Sequence, residues 1–166
     1  MQALHASMLL GITGGQDMKS PDRKPLEILF LCTGNSCRSQ MAEGWVRALK
    51  SPGIEAYSAG IEPKGLHPLA VKVMAEAGVD ISTQKSKHVR VLKDIPFDYV
   101  VTVCDNAREG CPLFPGRTKV IHRDFEDPAA AKGNEEEVLA VFRRIRDQIR
   151  DYIAAFPEIL KKEDLP

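Results

Sequence analysis

Residues 26–39 read LEILFLCTGNSCRS and change character at residue 32. The first six are almost continuously apolar, which is typical of a strand buried on both faces of a parallel sheet. Residues 32–38 form a short polar loop, and a helical pattern follows from residue 39 to about residue 50. A buried strand that passes through a short loop into a helix is a unit of α/β folds, and such loops are where these folds bind ligands.

The rest of the chain continues this alternation. We predict further strands over residues 54–59, 99–103 and 119–122, and further helices over residues 67–77 and 135–156. This order indicates a single α/β domain, an open parallel sheet with helices on both faces. We expect residues 1–24 to be an extension outside the core, residues 25–157 to form the domain, and residues 158–166 to be a C-terminal tail.

Composition excludes several classes of function. The 166 residues are 43% hydrophobic and 28% charged, and 23 basic side chains balance 23 acidic ones. This balance argues against binding to nucleic acid or to an anionic membrane. The sequence contains neither an apolar run of about 18 residues nor a signal-peptide pattern. We therefore expect a cytoplasmic protein, and a monomer.

Four cysteines, Cys32, Cys37, Cys104 and Cys111, are the most informative residues. In a cytoplasmic chain such cysteines are more often catalytic or metal-binding than joined in structural disulfides. Metal binding is disfavoured because there is no Cys-x2-Cys pair and the four histidines are scattered singly. We predict no metal site.

The loop after the first strand predicts a cradle for an anion. Such a cradle aims successive backbone N–H groups at one point, and residues 33–38 contain no proline that would remove a donor. Cys111 and Arg117 have the same spacing as Cys32 and Arg38, but two prolines lie between them. The predicted substrate-binding residues are Thr33, Gly34, Asn35, Ser36, Cys37, Arg38 and Ser39.

Cys32 is the candidate nucleophile of this cradle. The start of the helix, the inward amides and the Arg38 cation all favour a thiolate there. The planar guanidinium of Arg38 can hold two oxygens of a tetrahedral oxyanion, and Ser39 is placed to donate a hydrogen bond to the sulfur. An ordinary buried cysteine in a strand–turn–helix remains the alternative.

The loop resembles the phosphate-binding loop of low-molecular-weight protein tyrosine phosphatases. The longer run CTGNSCRSQMAEG at residues 32–44, followed by YSAG at residues 57–60, resembles the thioredoxin-coupled arsenate reductases built on that fold. The resemblance covers residues 26 to about 156. It implies a four-stranded parallel sheet flanked by helices, reduction of arsenate to arsenite in arsenic detoxification, and thioredoxin as electron donor without a tightly bound cofactor.

A reductase also needs a source of two electrons. Cys104 follows one predicted strand as Cys32 follows another. If these two strands are neighbours in the sheet, both sulfurs lie at the same sheet edge. A helix would hold the α-carbons of Cys104 and Cys111 about 10 Å apart, whereas a disulfide needs roughly 4.4–6.8 Å. In agreement with the resemblance, we expect a Cys32–Cys104 disulfide that passes to Cys104–Cys111 through refolding of this segment. Cys37 is expected to be a bystander.

Asp127, followed by Pro128, resembles the general acid of the family. Asp124 is the second candidate, and either aspartate can instead be an ordinary turn residue. Three alanines follow at residues 129–131, where phosphatases of this fold tend to carry tyrosines. This departure from the family favours a small inorganic oxyanion over phosphotyrosine.

A second departure concerns potassium. Some relatives bind this ion near Asn35, Glu43 and Ser58, with oxygen ligands from the segment that matches residues 85–87. Lys85 and Lys87 stand in that segment here. Because a lysine ammonium can replace the ion by pairing with Glu43, we do not predict bound potassium.

Two other functions remain open. One is hydrolysis of phosphomonoesters or phosphotyrosine with Cys32, Arg38 and Asp127 alone, either as the main activity or as a residual one. The other is a non-catalytic oxyanion-binding regulator on the same scaffold.

Overall fold

The computed structural model describes residues 23–164, which form one four-stranded parallel sheet flanked by helices. The strands are β1 (Leu26–Cys32), β2 (Ile54–Gly60), β3 (Tyr99–Thr102) and β4 (Lys119–His122), in the spatial order β2-β1-β3-β4. The helices are α1 (Arg38–Lys50), α2 (Pro68–Glu76), α3 (Asp105–Glu109), α4 (Glu135–Ala154) and α5 (Glu158–Glu163), with 3-10 turns at Val89–Leu92 and Pro128–Ala130. The predicted fold class is confirmed.

Burial explains why the central strands are apolar. β1 lies between β2 and β3, so both of its edges are hydrogen-bonded within the sheet, and its four consecutive residues 28–31 are fully buried. All four residues of β3 are also buried. β4 is an edge strand, and its first two residues are exposed.

The long helix α4 packs its apolar stripe inward, as the sequence indicates. Phe142, Ile145 and Ile149 are fully buried, and Asn134 and Glu137 form a capping box at the start of the helix. The Trp45 indole N–H in α1 donates to the Arg146 carbonyl in α4 at 3.1 Å. These contacts fix α1, and with it the loop that precedes α1.

The C-terminal segment differs from the expected tail. Residues 158–163 form α5, Leu160 is fully buried, and the Tyr152 hydroxyl donates to Glu163 at 2.8 Å. A short, highly charged segment with two apolar residues has too little periodicity to predict this docking.

The predicted N-terminal extension lies outside the described residues except for residues 23 and 24. None of the helices within residues 23–164 combines the length and apolar character that crossing a bilayer requires.

The parallel register brings two cysteines to one edge of the sheet. Leu31 in β1 pairs with Thr102 in β3, so Cys32 ends its strand beside Val103 and Cys104 follows one residue later. The carboxyl ends of β1 and β3 therefore open onto a common cavity, where ligands bind in folds of this kind.

Candidate active site

The carbonyl groups at the start of the loop between β1 and α1 are bonded to other parts of the chain. Backbone N–H groups of residues 61, 62, 64 and 67 donate to the carbonyls of residues 32, 33, 34 and 36 at 2.8–3.3 Å. The remaining carbonyl, of Asn35, accepts from the Gln40 side chain at 3.0 Å. With all five carbonyl oxygens engaged, the loop presents donors to an anion.

The start of α1 adds to this donor set. Its N-cap residue, Cys37, makes no capping hydrogen bond with its side chain, so the first helical N–H groups remain available. Asn35 adopts φ 45°, a left-handed conformation that asparagine tolerates better than most residues. These features are the ones that an anion cradle requires of its backbone.

The Cys32 sulfur lies at the base of the cradle and is almost fully buried. It is 2.9 Å from the Ser39 hydroxyl oxygen and accepts from the Asn35 backbone N–H at 3.2 Å. Because the Asn35 side-chain amide donates to the Ser39 oxygen at 2.9 Å, the Ser39 proton is free to point at the sulfur. Both contacts are ones that a thiolate accepts, which suits a nucleophile.

A second set of residues holds Asn35 in place, and sequence reasoning missed part of it. The Asn35 side-chain oxygen accepts from the Lys87 backbone N–H at 2.9 Å. Gln40, which supports the Asn35 carbonyl, is itself held by the buried Gln84 side chain at 2.8 Å. A buried glutamine produces no motif in a sequence, so only burial and contact reveal these positions.

Arg38 reaches across the cavity to the segment after β4. It donates to the Phe125 carbonyl at 3.0 Å and lies 3.6 Å from the Asp127 carboxylate. The Asp127 side chain also accepts from the Ala129 N–H at 3.1 Å, so the carboxylate is held at the cavity edge. Asp124 lines the same cavity, so it stays the alternative acid.

Cys104 faces the same cavity as Cys32, with Thr33 beside it. Its sulfur is 3.4 Å from the Thr33 hydroxyl and accepts from the Ala107 N–H at 3.4 Å, which makes Cys104 the N-cap of α3. The cavity has a volume of about 600 Å³, and both cysteines line it together with Arg38 and Asp127. The structure thus brings four of the five predicted catalytic residues together.

Cys111 lies apart from them, after the end of α3. It is half-buried, it does not line the cavity, and its thiol donates to the Pro112 carbonyl at 3.6 Å. Burial raises the pKa of this thiol. In this conformation α3 separates Cys111 from Cys104, and all four cysteines are free thiols.

Cys37 is buried at the start of α1. Burial, followed by the charges of Asp127 and Cys32, raises the pKa of its thiol to about 12. A thiol with that pKa stays protonated at neutral pH, which matches the predicted bystander role.

Two places near the site carry groups that could hold a cation. The Lys87 ammonium donates to the Ser58 and Lys85 carbonyls at 2.9 and 3.0 Å, while Glu43 accepts from Ser58 and pairs with Arg47. Burial lowers the pKa of Lys87, and the Glu43 charge opposes that shift. The expected pairing of a lysine ammonium with Glu43 is not formed among the described residues, because Arg47 and Ser58 engage the Glu43 carboxylate instead. Separately, Asp105, His122 and Asp124 place ligand atoms within 4.8 Å of one another at the cavity edge.

This fold and site define a class: α/β enzymes that hold a nucleophilic cysteine and an arginine around an oxyanion cradle. The family model described as low molecular weight phosphotyrosine protein phosphatase matches residues 27–165, and the chain belongs to this family.

Several relatives in this family are named arsenate reductase. The chain is 50% identical over 131 residues to an arsenate reductase of Oceanobacillus iheyensis, covering 78% of this chain and 93% of that protein. A solved arsenate reductase in the reduced state is 30% identical with a TM-score of 0.63, covering 81% and 98% of the two chains. A solved thioredoxin-dependent arsenate reductase of Corynebacterium glutamicum is 26% identical with a TM-score of 0.56, covering 79% and 61%.

Proposed function

We propose that this protein reduces arsenate to arsenite through Cys32, Cys104 and Cys111, with thioredoxin as the electron donor. The observation that carries the proposal is that Cys32 and Cys104 line one cavity, with the Thr33 hydroxyl 3.4 Å from the Cys104 sulfur. A phosphatase of this fold needs the first cysteine only. A second thiol beside the nucleophile supplies a route for electrons.

The first step uses the cradle, Arg38 and Asp127. Arsenate binds to the backbone N–H groups, and the Arg38 guanidinium neutralises its oxygens. The Cys32 thiolate forms an S–As bond while one As–O bond breaks, and that oxygen leaves as water with a proton from Asp127. General acid catalysis of this kind contributes about 10²–10⁴-fold.

The second step transfers electrons within the cavity. The Cys104 sulfur attacks the Cys32 sulfur and forms an S–S bond. The electron pair of the broken S–As bond goes to arsenic, which falls from As(V) to As(III) and leaves as arsenite. The Cys104 sulfur accepts from the Ala107 N–H and lies 3.4 Å from the Thr33 hydroxyl, which keeps it beside the cradle.

The third step moves the disulfide outward. Cys111 attacks Cys104 and returns Cys32 as a thiolate, which requires α3 to unwind. A helix of five residues has little stability of its own, and a Cys104 sulfur in a disulfide is a poorer cap for it. Thioredoxin then reduces the Cys104–Cys111 disulfide by thiol–disulfide exchange.

The relay requires no second subunit, no oxidising compartment and no cofactor. All three cysteines come from one chain, so a monomer suffices. They must be reduced between turnovers, which fits the cytosol, where thioredoxin keeps thiols reduced. The relay uses no metal or organic cofactor.

Phosphomonoester hydrolysis is the second candidate, because the chain belongs to a phosphatase family and Cys32, Arg38 and Asp127 are sufficient for that reaction. Its activity would depend on Cys32 but would survive the loss of Cys104.

The test is arsenate-dependent NADPH oxidation with thioredoxin and thioredoxin reductase, measured for wild type and four single Cys→Ser variants. We expect loss of turnover at Cys32, Cys104 and Cys111, with Cys37→Ser as the matched control that retains it. Peptide mass mapping after one turnover should find the Cys104–Cys111 bridge. Full turnover in Cys104→Ser would overturn the relay. Phosphomonoester hydrolysis that depends on Cys32 alone, in a wild-type protein without arsenate turnover, would favour the second candidate.

A further inference from the structure

The cavity that holds Cys32 has two sides of opposite charge. Its lining includes Asp105, Asp124, Glu126 and Asp127, which follow β3 and β4 on one side of β1. Lys64 and His67 also line it, and they follow β2 on the other side of β1. A doubly charged oxyanion that enters the cavity therefore meets carboxylates on one side and basic groups on the other.

The acidic side is poorly suited to attract an anion. Although Asp127 pairs with Arg38 and Asp105 lies 3.1 Å from His122, these contacts leave the carboxylates at the cavity edge. Arg38, the cation inside the cradle, is only 12% exposed and is partly neutralised by Asp127. A further cation at the entrance therefore adds to the attraction for an approaching oxyanion.

Lys64 is placed to supply it. Its backbone N–H donates to the Gly34 carbonyl at 2.9 Å, and its side-chain carbons lie against Gly34, 3.5 Å from where a β-carbon would be. Within residues 23–164, its ammonium has no hydrogen-bond or ion-pair partner. The stem is thus fixed to the cradle while the charge remains uncommitted, an arrangement that lysine favours because its stem packs while its charge stays in water.

His67 lies next to Ser36 of the cradle and presents a hydrogen-bond donor. Its backbone N–H donates to the Ser36 carbonyl at 3.1 Å, and its ring packs against Phe142 with 5.0 Å between centroids. Because its Nδ1 accepts from the Leu69 N–H at 3.1 Å, the neutral ring carries its proton on Nε2. The remaining ring nitrogen, Nε2, is therefore a hydrogen-bond donor on a residue that lines the cavity.

We propose that Lys64, assisted by His67, is an anion-binding element at the cavity entrance that captures the oxyanion before it reaches the cradle. It acts in binding and takes no part in bond making. The inference rests on the proposed function only for the identity of arsenate, because any tetrahedral dianion, such as phosphate, meets the same charges.

The test measures inorganic phosphate binding to the full reduced chain by calorimetry, for wild type and Lys64→Met. We expect the dissociation constant to rise about three- to tenfold near 0.01 M ionic strength, and the difference to shrink near 0.15 M as the screening length falls from about 30 to 8 Å. Lys64→Arg, which keeps the charge, should stay close to wild type. His67→Asn keeps a good N-cap for α2 and should raise the constant about two- to threefold.

Lys161→Met is the matched control, since it removes an exposed lysine on α5, which does not line the cavity. A binding constant unchanged by Lys64→Met, or raised equally by Lys161→Met, would overturn the inference. In arsenate turnover, Lys64→Met should raise KM and leave kcat unchanged. A fall in kcat alone in this variant would contradict a role confined to binding. If wild type fails to reduce arsenate while the phosphate results hold, the proposed function fails and this inference survives.

Discussion

Replacing Gly60 by alanine tests whether the back of the cradle is packed as tightly as the structure indicates. A β-carbon at Gly60, the last residue of β2, would lie 2.6 Å from the Thr33 carbonyl oxygen and 2.8 Å from the Asn35 nitrogen. Ordinary contacts begin near 3.4 Å, so the backbone of the cradle must move by about 0.8 Å. Both atoms belong to the backbone, so no side-chain rotation can relieve the clash.

The expected consequence is larger for catalysis than for stability. Overpacking of this kind costs about 1–3 kcal/mol, so we expect a folded protein with a Tm lower by several degrees. A displacement near 1 Å in a catalytic geometry can cost about 10²-fold in rate. Since the Asn35 N–H donates to Cys32 at 3.2 Å, the shift acts directly on the nucleophile.

The assay compares Gly60→Ala with Gly53→Ala in arsenate turnover and in calorimetric phosphate binding. Gly53 is a matched control because a β-carbon there meets only the Lys50 carbonyl, at 3.5 Å. We expect turnover to fall about 10²-fold for Gly60→Ala and to stay near wild type for Gly53→Ala. A Gly60→Ala enzyme with turnover and phosphate affinity within threefold of wild type would refute the close packing behind the cradle.

Three further predictions concern charge and burial. Arg38→Lys should lower kcat/KM for arsenate by about 10²-fold or more in steady-state assays, since an ammonium cannot hold two oxygens with a planar fork. Cys37 should resist iodoacetamide in the native protein at pH 9, because burial raises its pKa to about 12 and the unreactive thiol persists below that pH. Mass spectrometry should find Cys37 labelled only after unfolding. Labelling of the native protein at pH 9 would contradict the burial of this thiol. Lys87→Met should lower the Tm by several degrees, because the Ser58 and Lys85 carbonyls lose a donor worth about 1–3 kcal/mol. Added potassium should recover part of the lost Tm in the variant and leave the Tm of wild type unchanged.

Much of the fold and the nucleophile's surroundings could be predicted from the sequence because the relevant signals are local. An apolar run ending in Cys32, a loop without proline and a helix starting at Arg38 lie within 13 consecutive residues. Their chemistry depends on backbone donors and a helix start, which neighbouring residues determine. The strands and the stripe of α4 follow from periodicity in the same way.

Contacts between distant parts of the chain needed the tertiary structure. Gly60 touches Thr33, Lys87 holds Asn35, and Lys64 packs on Gly34, each pair being separated by 27 or more positions. The docking of α5 through Leu160 belongs to the same group. No pattern in sequence specifies which backbone group a buried asparagine or a strand-ending glycine will meet.

By itself, then, the sequence determined a parallel α/β domain with an oxyanion loop and the cysteines available for a relay. Only the tertiary structure decided that every carbonyl of that loop is bonded from behind, that Cys104 shares a cavity with Cys32 while Cys111 does not, and that basic and acidic residues line opposite sides. The physical reason is that backbone conformation and periodicity are properties of neighbouring residues. The direction of a carbonyl or the charge of a cavity depends on which strands lie side by side.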